Sequence, residues 1–175
     1  MQHKITHLSS KCYPGEDMKS IDGVVIHYIS AVNILPEDPF NLKAILGIFE
    51  QYKVSAHYLI DRDGVPIDLV PLPKIAYHAG RSRMNGRNGC NDWCIGIELM
   101  GGKDFPYTDE QIATLKLMLG KLMSEHRIPL ENIEGHDYVR TAWNRTYPEK
   151  KGKKKYDPGT HFPWKDVRDS LQFIG

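Results

Sequence analysis

Apolar residues along this chain change period several times, and the changes divide it into strands and helices. Val24 to Ile29 is a continuous β-branched and aromatic run, the pattern of a buried strand. After a polar, proline-bearing loop at 33–38, Phe40, Leu42, Ile45, Leu46, Ile48 and Phe49 recur at helical spacing through about Tyr52. Val54 to Ile60 returns to strand character. Asp61-Arg62-Asp63-Gly64 then gives a hairpin signal, and Val65 to Val70 is the partner strand, with Pro66 placing it at an edge or at its own start. Cys94 to Met100 alternates, with Ile95, Ile97 and Leu99 on one face and Cys94, Gly96, Glu98 and Met100 on the other. Thr108 and Gln111 form a capping box, ahead of a stripe of Ile112, Leu115, Leu119, Leu122 and Met123 that reaches about His126. Ile128 to Ile133 leads into a short strand ending at Gly135-His136, and Pro163 to Phe173 predicts a C-terminal helix. Residues 1–20 are mixed and predict an arm over the core. With no internal repeat and no linker, the pattern predicts one α/β domain over 1–175, its core at about 20–165.

Two stretches fall outside these periods. Pro71 to Asp92 is long and rich in Gly and Arg, as binding loops are. Arg140 to Lys154 reads as a second loop, ending in the basic cluster Lys150, Lys151, Lys153, Lys154 and Lys155.

Bulk properties narrow the classes. At 175 residues, 41% hydrophobic and 26% charged, the chain suits one soluble domain with a core. A formal net charge of +1 argues against a nucleic-acid partner, and the lysine cluster is local. No run approaches the roughly 18 apolar residues of a membrane helix, and the N-terminus lacks a signal-peptide core. The expectation is therefore a protein that is cytoplasmic as synthesised, without membrane insertion, and monomeric. Three cysteines, Cys12, Cys90 and Cys94, make no disulfide framework and read as buried bystanders.

The chemistry gathers between Glu134 and Gly159, where one segment offers His136, Lys155 and Asp157. A histidine and an aspartate make half of a first-row metal site, and His27, in the first buried strand, is the further ligand sought. Alone, His27 reads more readily as a satisfied core histidine. Two imidazoles and one carboxylate form a catalytic zinc donor set that leaves a fourth position open for water. Non-haem iron takes the same set, but nothing else here suggests oxygen chemistry. Glu98 is a carboxylate in an otherwise apolar strand, costly unless paired or functional. It reads either as a general acid/base beside the metal or as the partner of a loop arginine. Lys155 stands two residues before Asp157, on the same side of an extended segment, where an ammonium would stabilise an oxyanion. Its default reading is the end of a solvated charge run.

The residues at 24–28 (VVIHY), 54–64 (VSAHYLIDRDG), 77–82 (YHAGRS), 91–99 (NDWCIGIEL), 135–137 (GHD) and 155–159 (KYDPG) appear in that order. Together they resemble the zinc-dependent N-acetylmuramoyl-L-alanine amidases of the amidase-2, AmpD-like group, relatives of phage lysozyme-type amidases and of peptidoglycan recognition proteins. The resemblance implies a mixed central β-sheet flanked by helices, with Zn2+ on His27, His136 and Asp157. It also implies Glu98 and Lys155 as catalytic acid/base and oxyanion stabiliser, and a peptidoglycan or muropeptide substrate cut between N-acetylmuramic acid and L-alanine. Tyr28, Arg81 and Asn91 are then expected as substrate contacts, and His57, His78 and His161, which resemble site-rim residues, as substrate contacts or groups behind the ligands. Ala56 stands where the phage and recognition-protein branch has a tyrosine, Glu98 where that branch lacks glutamate, and Asp157 where many phage members have cysteine. These choices resemble the AmpD-like chemistry.

The stretch from His136 to Lys155 is longer than in many such proteins, and with Trp143, Tyr147 and its lysines it is expected to form a lid or a surface for anionic wall polymer. On that ground the expected role is lytic, an endolysin acting on the wall if phage-encoded and released by a holin. Recycling of soluble anhydro-muropeptides is the alternative. A non-catalytic binding module would be marked by loss of a zinc ligand, and all three ligands are present.

Overall fold

The computed structural model describes residues 4–6, 8 and 11–173, so parts of the expected 1–20 arm lie outside the described residues. In chain order the elements are β1 (Lys4–Ile5), β2 (Gly23–Ile29), α1 (Leu42–Tyr52), β3 (Tyr58–Ile60), β4 (Pro66–Asp68), β5 (Arg83–Met84), β6 (Arg87–Asn88), β7 (Cys94–Met100), α2 (Asp109–His126), β8 (Ile133–Gly135), α3 (His136–Thr146) and α4 (Trp164–Leu171). Six strands form one mixed sheet in the order β1-β4-β3-β7-β2-β8, and β5 and β6 make a separate hairpin.

Its centre is the parallel pair β2–β7, in register from Gly23↔Cys94 to Ile29↔Met100. Helices cover both faces, which is why β2 reads as a continuous apolar run. On one face Val24, Ile26, Ile95, Ile97 and Leu99 pack against Leu115, Leu119 and Leu122 of α2 and Val167 and Leu171 of α4. On the other, Leu59 and Ile67 meet Ile45 and Phe49 of α1, while Val25 and Cys94 meet Val139 of α3 together with Ala79 and Met84. The two-residue strand period puts His27 on the Val25 side, and His27 pairs directly with Glu98 across the β2–β7 ladder.

The expected capping box holds. Thr108 Oγ1 accepts from the Gln111 backbone N–H and the Gln111 side chain accepts from that of Thr108. The hairpin at 61–64 joins β3 to β4 antiparallel, with Pro66 at the start of β4.

Four expectations need correction. Residues 54–57 are not strand: the Ser55 N–H bonds Tyr77 O and the His57 carbonyl accepts from Leu69 N, so this segment ties loops to the sheet and β3 keeps only three residues. Lys4–Ile5 is not an arm over the core but an edge strand parallel to β4. The 71–92 loop contains the β5–β6 hairpin and a 3-10 turn at Cys90–Asp92. The stretch after His136 is helical to Thr146. Its buried face is narrow and uses an arginine beside Val139, so apolar periodicity carries little trace of it.

Candidate metal centre and catalytic cleft

Three elements converge where the central strands end. β2 supplies His27, the first residue of α3 supplies His136, and the segment before α4 supplies Asp157. Gly135 permits the last approach, because a Cβ there would lie 2.5 Å from Pro158 Cδ. The Asp137 N–H donates to the Asp157 carbonyl at 2.9 Å, pinning that segment to the start of α3.

The atoms brought together are His27 Nδ1, His136 Nδ1 and Asp157 Oδ2, with separations of 3.1 Å between the nitrogens and 3.0 Å from each to the oxygen. Hydrogen bonding alone does not account for this triangle. His78 Nε2 lies 3.0 Å from Cys94 O, a pure acceptor, so it carries the proton and leaves His78 Nδ1 as an acceptor. His27 Nε2, 3.1 Å from that Nδ1, must therefore donate. His136 Nε2 likewise donates to Ala79 O at 3.3 Å. In the neutral rings both inward nitrogens then hold lone pairs, aimed at each other and at a carboxylate.

Burial keeps His27 and His78 neutral. It pulls His27 down to about 4, against the pull of Asp157, and His78 well below the usual imidazole value, with the neighbouring histidines adding to the shift. Two lone pairs and an anion around one point suit a cation. A tetrahedral ion with ligands at about 2.0–2.1 Å spaces them about 3.3 Å apart, so the triangle fits after slight expansion. Among the described residues, His27, His136 and Asp157 form the group of ligand side chains that could hold a metal ion.

Behind the ligands stands a buried histidine support. His78 fixes the tautomer of His27, the arrangement that orients metal-bound imidazoles generally. Gly96 leaves its ring room, since a Cβ there would sit 2.5 Å from His78 Cγ. The Gly96 N–H also donates to His57 Nδ1 at 2.9 Å, and His57 Nε2 donates to Lys74 O at 2.9 Å. His57 and His78 were expected as substrate contacts or as groups behind the ligands. The structure puts His57 behind, whereas His78 supports His27 and also lines the cleft. His57 is fully buried with both nitrogens engaged, so it has no polar atom left for a substrate.

In front lies a cleft of about 280 Å³ whose lining includes the three ligands, Glu98, Lys155, Tyr28, Tyr77 and His78. Glu98 is buried and its Oε2 has no hydrogen-bond partner among the described residues. Burial, reinforced by Asp157 and opposed by Lys155, raises its proton affinity well above that of an ordinary glutamate. The loop-arginine alternative for Glu98 is not realised. Lys155 is half-buried in the cleft wall, whereas Lys150, Lys151, Lys153 and Lys154 are exposed.

Asn91 Oδ1 accepts from the His78 and Ala79 N–H groups at 3.1 and 2.7 Å, shaping the loop that carries the support. Arg81 is exposed and donates to Lys150 O at 3.1 Å. His161 lies apart, in a separate surface cleft with Tyr107 and α2 residues. Sequence reasoning missed Arg140, a buried arginine on α3 beside the cleft, because the stretch read as loop. The i,i+4 spacing of His136 and Arg140 was the available signal.

Two imidazoles and an aspartate at the ends of a mixed sheet, with a buried glutamate opposite, are a group that could serve a metal-type hydrolase. Residues 17–160 match the family model for N-acetylmuramoyl-L-alanine amidases. The 1,6-anhydro-N-acetylmuramyl-L-alanine amidase AmpD of Citrobacter freundii is 40% identical over 172 residues, 90% of this chain and 83% of its own. A selenomethionine AmpD crystal structure superposes with a TM-score of 0.72 at 30% identity, covering 97% of this chain and 94% of that one. AmiD of Escherichia coli, in complex with anhydro-N-acetylmuramic acid-L-Ala-D-gamma-Glu-L-Lys, gives 0.66 at 27% identity, covering 87% of this chain and 58% of that one. This chain belongs to the N-acetylmuramoyl-L-alanine amidase family and is an amidase.

Proposed function

We propose that the enzyme cleaves the amide between the lactyl group of N-acetylmuramic acid and L-alanine in soluble anhydro-muropeptides, using zinc held by His27, His136 and Asp157. The observation that carries the chemistry is Glu98, a buried carboxylate with an unpartnered oxygen, paired in register with a ligand strand. The substrate rests on the relatives. The relative at 40% identity over nine-tenths of the chain is named for the 1,6-anhydro substrate. This replaces the endolysin role expected from the lysine-rich stretch. That stretch does not stand free as an extended polymer-binding loop: Asn144 exchanges hydrogen bonds with Gly152, and the Lys150 carbonyl accepts from Trp143 and Arg81.

When bound there, zinc supplies Lewis acidity and a lowered water pKa. The chain's own side chains do the rest. Glu98, with its raised proton affinity, takes the proton of the attacking water and returns it to the alanine nitrogen as the C–N bond breaks. The Lys155 ammonium, in the cleft wall, offsets the charge that develops on the carbonyl oxygen. His78 holds His27 in the tautomer that presents Nδ1 inward.

The test is mass spectrometry of products from zinc-loaded protein given intact sacculi and soluble anhydro-muropeptides side by side. Free stem peptide is expected from the anhydro-muropeptides at a much higher rate. Equal release from sacculi would return the enzyme to a lytic role. No release from either would make the chain a binding module.

A further inference from the structure

The metal cleft continues past His136 and Lys155 into a second basin of about 350 Å³, bounded by Gly80, Asn91 and Arg140. Arg140 stands one helical turn after His136 on α3, so both side chains project from the same face. It is only 8% exposed, yet its one hydrogen bond among the described residues is a long one, from Nη2 to Ala79 O at 3.5 Å. Its Nε has no partner. Burying a guanidinium without an anion is expensive, because the charge leaves water and gains nothing in return.

The position is nevertheless built for it. A Cβ at Gly152 would fall 1.7 Å from Arg140 Nη1, and one at Gly80 would fall 3.3 Å from Nη2. Two glycines therefore frame the guanidinium at the basin wall. Asp157, whose charge reaches Arg140 and favours its charged form, is already engaged by His27 and His136. Arg81 lies close enough to add positive field and lower the proton affinity of Arg140 beyond the effect of burial. Among the described residues no anion is hydrogen-bonded to this guanidinium, which stands at the wall of a basin continuous with the metal cleft.

The peptide chemistry supplies a matching anion. The ligand of the E. coli AmiD complex carries L-Ala-D-gamma-Glu-L-Lys. A γ-linked glutamate keeps its α-carboxylate free, and this is the first anion met beyond the scissile bond. The planar fork of arginine matches a carboxylate with two parallel hydrogen bonds. We propose that Arg140, framed by Gly80 and Gly152, is the subsite for the α-carboxylate of the D-glutamyl residue, making it the specificity-determining residue for glutamate over isoglutamine. The identity of the ligand rests on the amidase reading.

Two measurements separate this proposal from that reading. The first is equilibrium binding of L-Ala-D-γ-Glu-L-Lys, and of the same tripeptide with isoglutamine, to zinc-loaded protein by calorimetry. The second is kcat/KM for the two corresponding anhydro-muropeptides. A charge-assisted bond lost from a buried site predicts a preference of about 10- to 100-fold for the carboxylate form in the wild type.

Arg140→Gln should bring that ratio to within about twofold. Arg140→Lys, which keeps charge but not the fork, should give an intermediate ratio. Thermal unfolding and metal content verify the fold of each variant, and the wild-type ratio with the lysine variant carries the test should the glutamine variant fail to fold. A wild-type ratio near one, or the same ratio in wild type and variants, would overturn the subsite. Discriminating binding without turnover would overturn the amidase reading and uphold the subsite.

Discussion

Gly96→Ala isolates the histidine support behind the metal ligands. The added Cβ would meet Cγ, Cδ2 and Cβ of His78 at 2.5, 2.8 and 2.9 Å, so the ring must move. It has little freedom to do so, being buried, bonded to Cys94 O on one side and to His27 on the other. Overpacking of this kind costs about 1–3 kcal/mol. At roughly 2–4 °C per kcal/mol for a chain this size, the metal-free protein should melt about 2–12 °C lower. Moving the ring also lengthens the His27–His78 bond, and loss of such a support typically weakens metal binding about 10- to 100-fold.

Competition against a chelating dye measures the affinity, and a thermal melt of chelator-treated protein measures the packing cost on its own. A double-mutant cycle with His78→Ala removes the ring contacts at 2.5 and 2.8 Å and leaves only the Cβ contact at 2.9 Å, so the Gly96→Ala change in that background should cost less in both assays. Lower stability with unchanged metal affinity would show that His78 does not orient His27. No loss in either assay would refute the placement of the ring.

Further outcomes follow from the same geometry. Glu98→Gln should lower kcat about 10²- to 10⁴-fold with metal content unchanged by elemental analysis; wild-type turnover would remove Glu98 from the mechanism. The same variant should lose a pH dependence. The metal-free fold holds a proton on Glu98 that the unfolded chain gives up above about pH 4.5, so its stability falls as pH rises, and urea unfolding from pH 5 to 8 should show a flatter profile for the glutamine variant. Asp157→Ala should weaken metal retention and abolish the rise in melting temperature on adding zinc, since binding energy to the folded state is folding energy; full zinc occupancy would mean the third ligand lies elsewhere. His57, pulled by burial from 6.5 to about 4, protonates first in the unfolded chain. Its contribution is complete above pH 6.5 and drains away as pH falls towards 4, by roughly 3 kcal/mol, and His57→Gln should lessen that acid loss in urea titrations.

What could be read without coordinates divides along physical lines. The strands at 24–29 and 94–100 and the capped helix after Thr108 stand out because burial imposes a period on them, and the structure places all three. The metal group was legible from chemistry, since two histidines and an aspartate in a fixed order have few other uses, and the three side chains meet. α3 was not legible. A helix that buries an arginine beside one valine has no apolar stripe, and without that helix Arg140 had no address. The division of labour among the histidines was hidden for a different reason. His57 lies in a stretch that reads as strand and His78 in one of loop-like composition, and only tertiary contacts show that both are buried and that His78 serves His27.

The placement of the chemistry depends on residues that take no part in it. His27 and Glu98 meet because β2 and β7 pair in one register, and a slip of one residue would turn His27 or Glu98 to the α2 side of the sheet. That register is held from the opposite face, where Val24, Ile26, Ile95, Ile97 and Leu99 lock against α2 and α4. Each such side chain contributes about 1.5–3 kcal/mol when buried, and a slip would displace a whole strand's set at once. The burial penalty on two neutral imidazoles and an unpaired carboxyl is borne by that opposite face. This is why a strand as apolar as Ile95-Gly96-Ile97-Glu98-Leu99 can hold a glutamate without an ion-pair partner, and why Gly96 and Glu98, on one face of it, can serve the support and the cleft together.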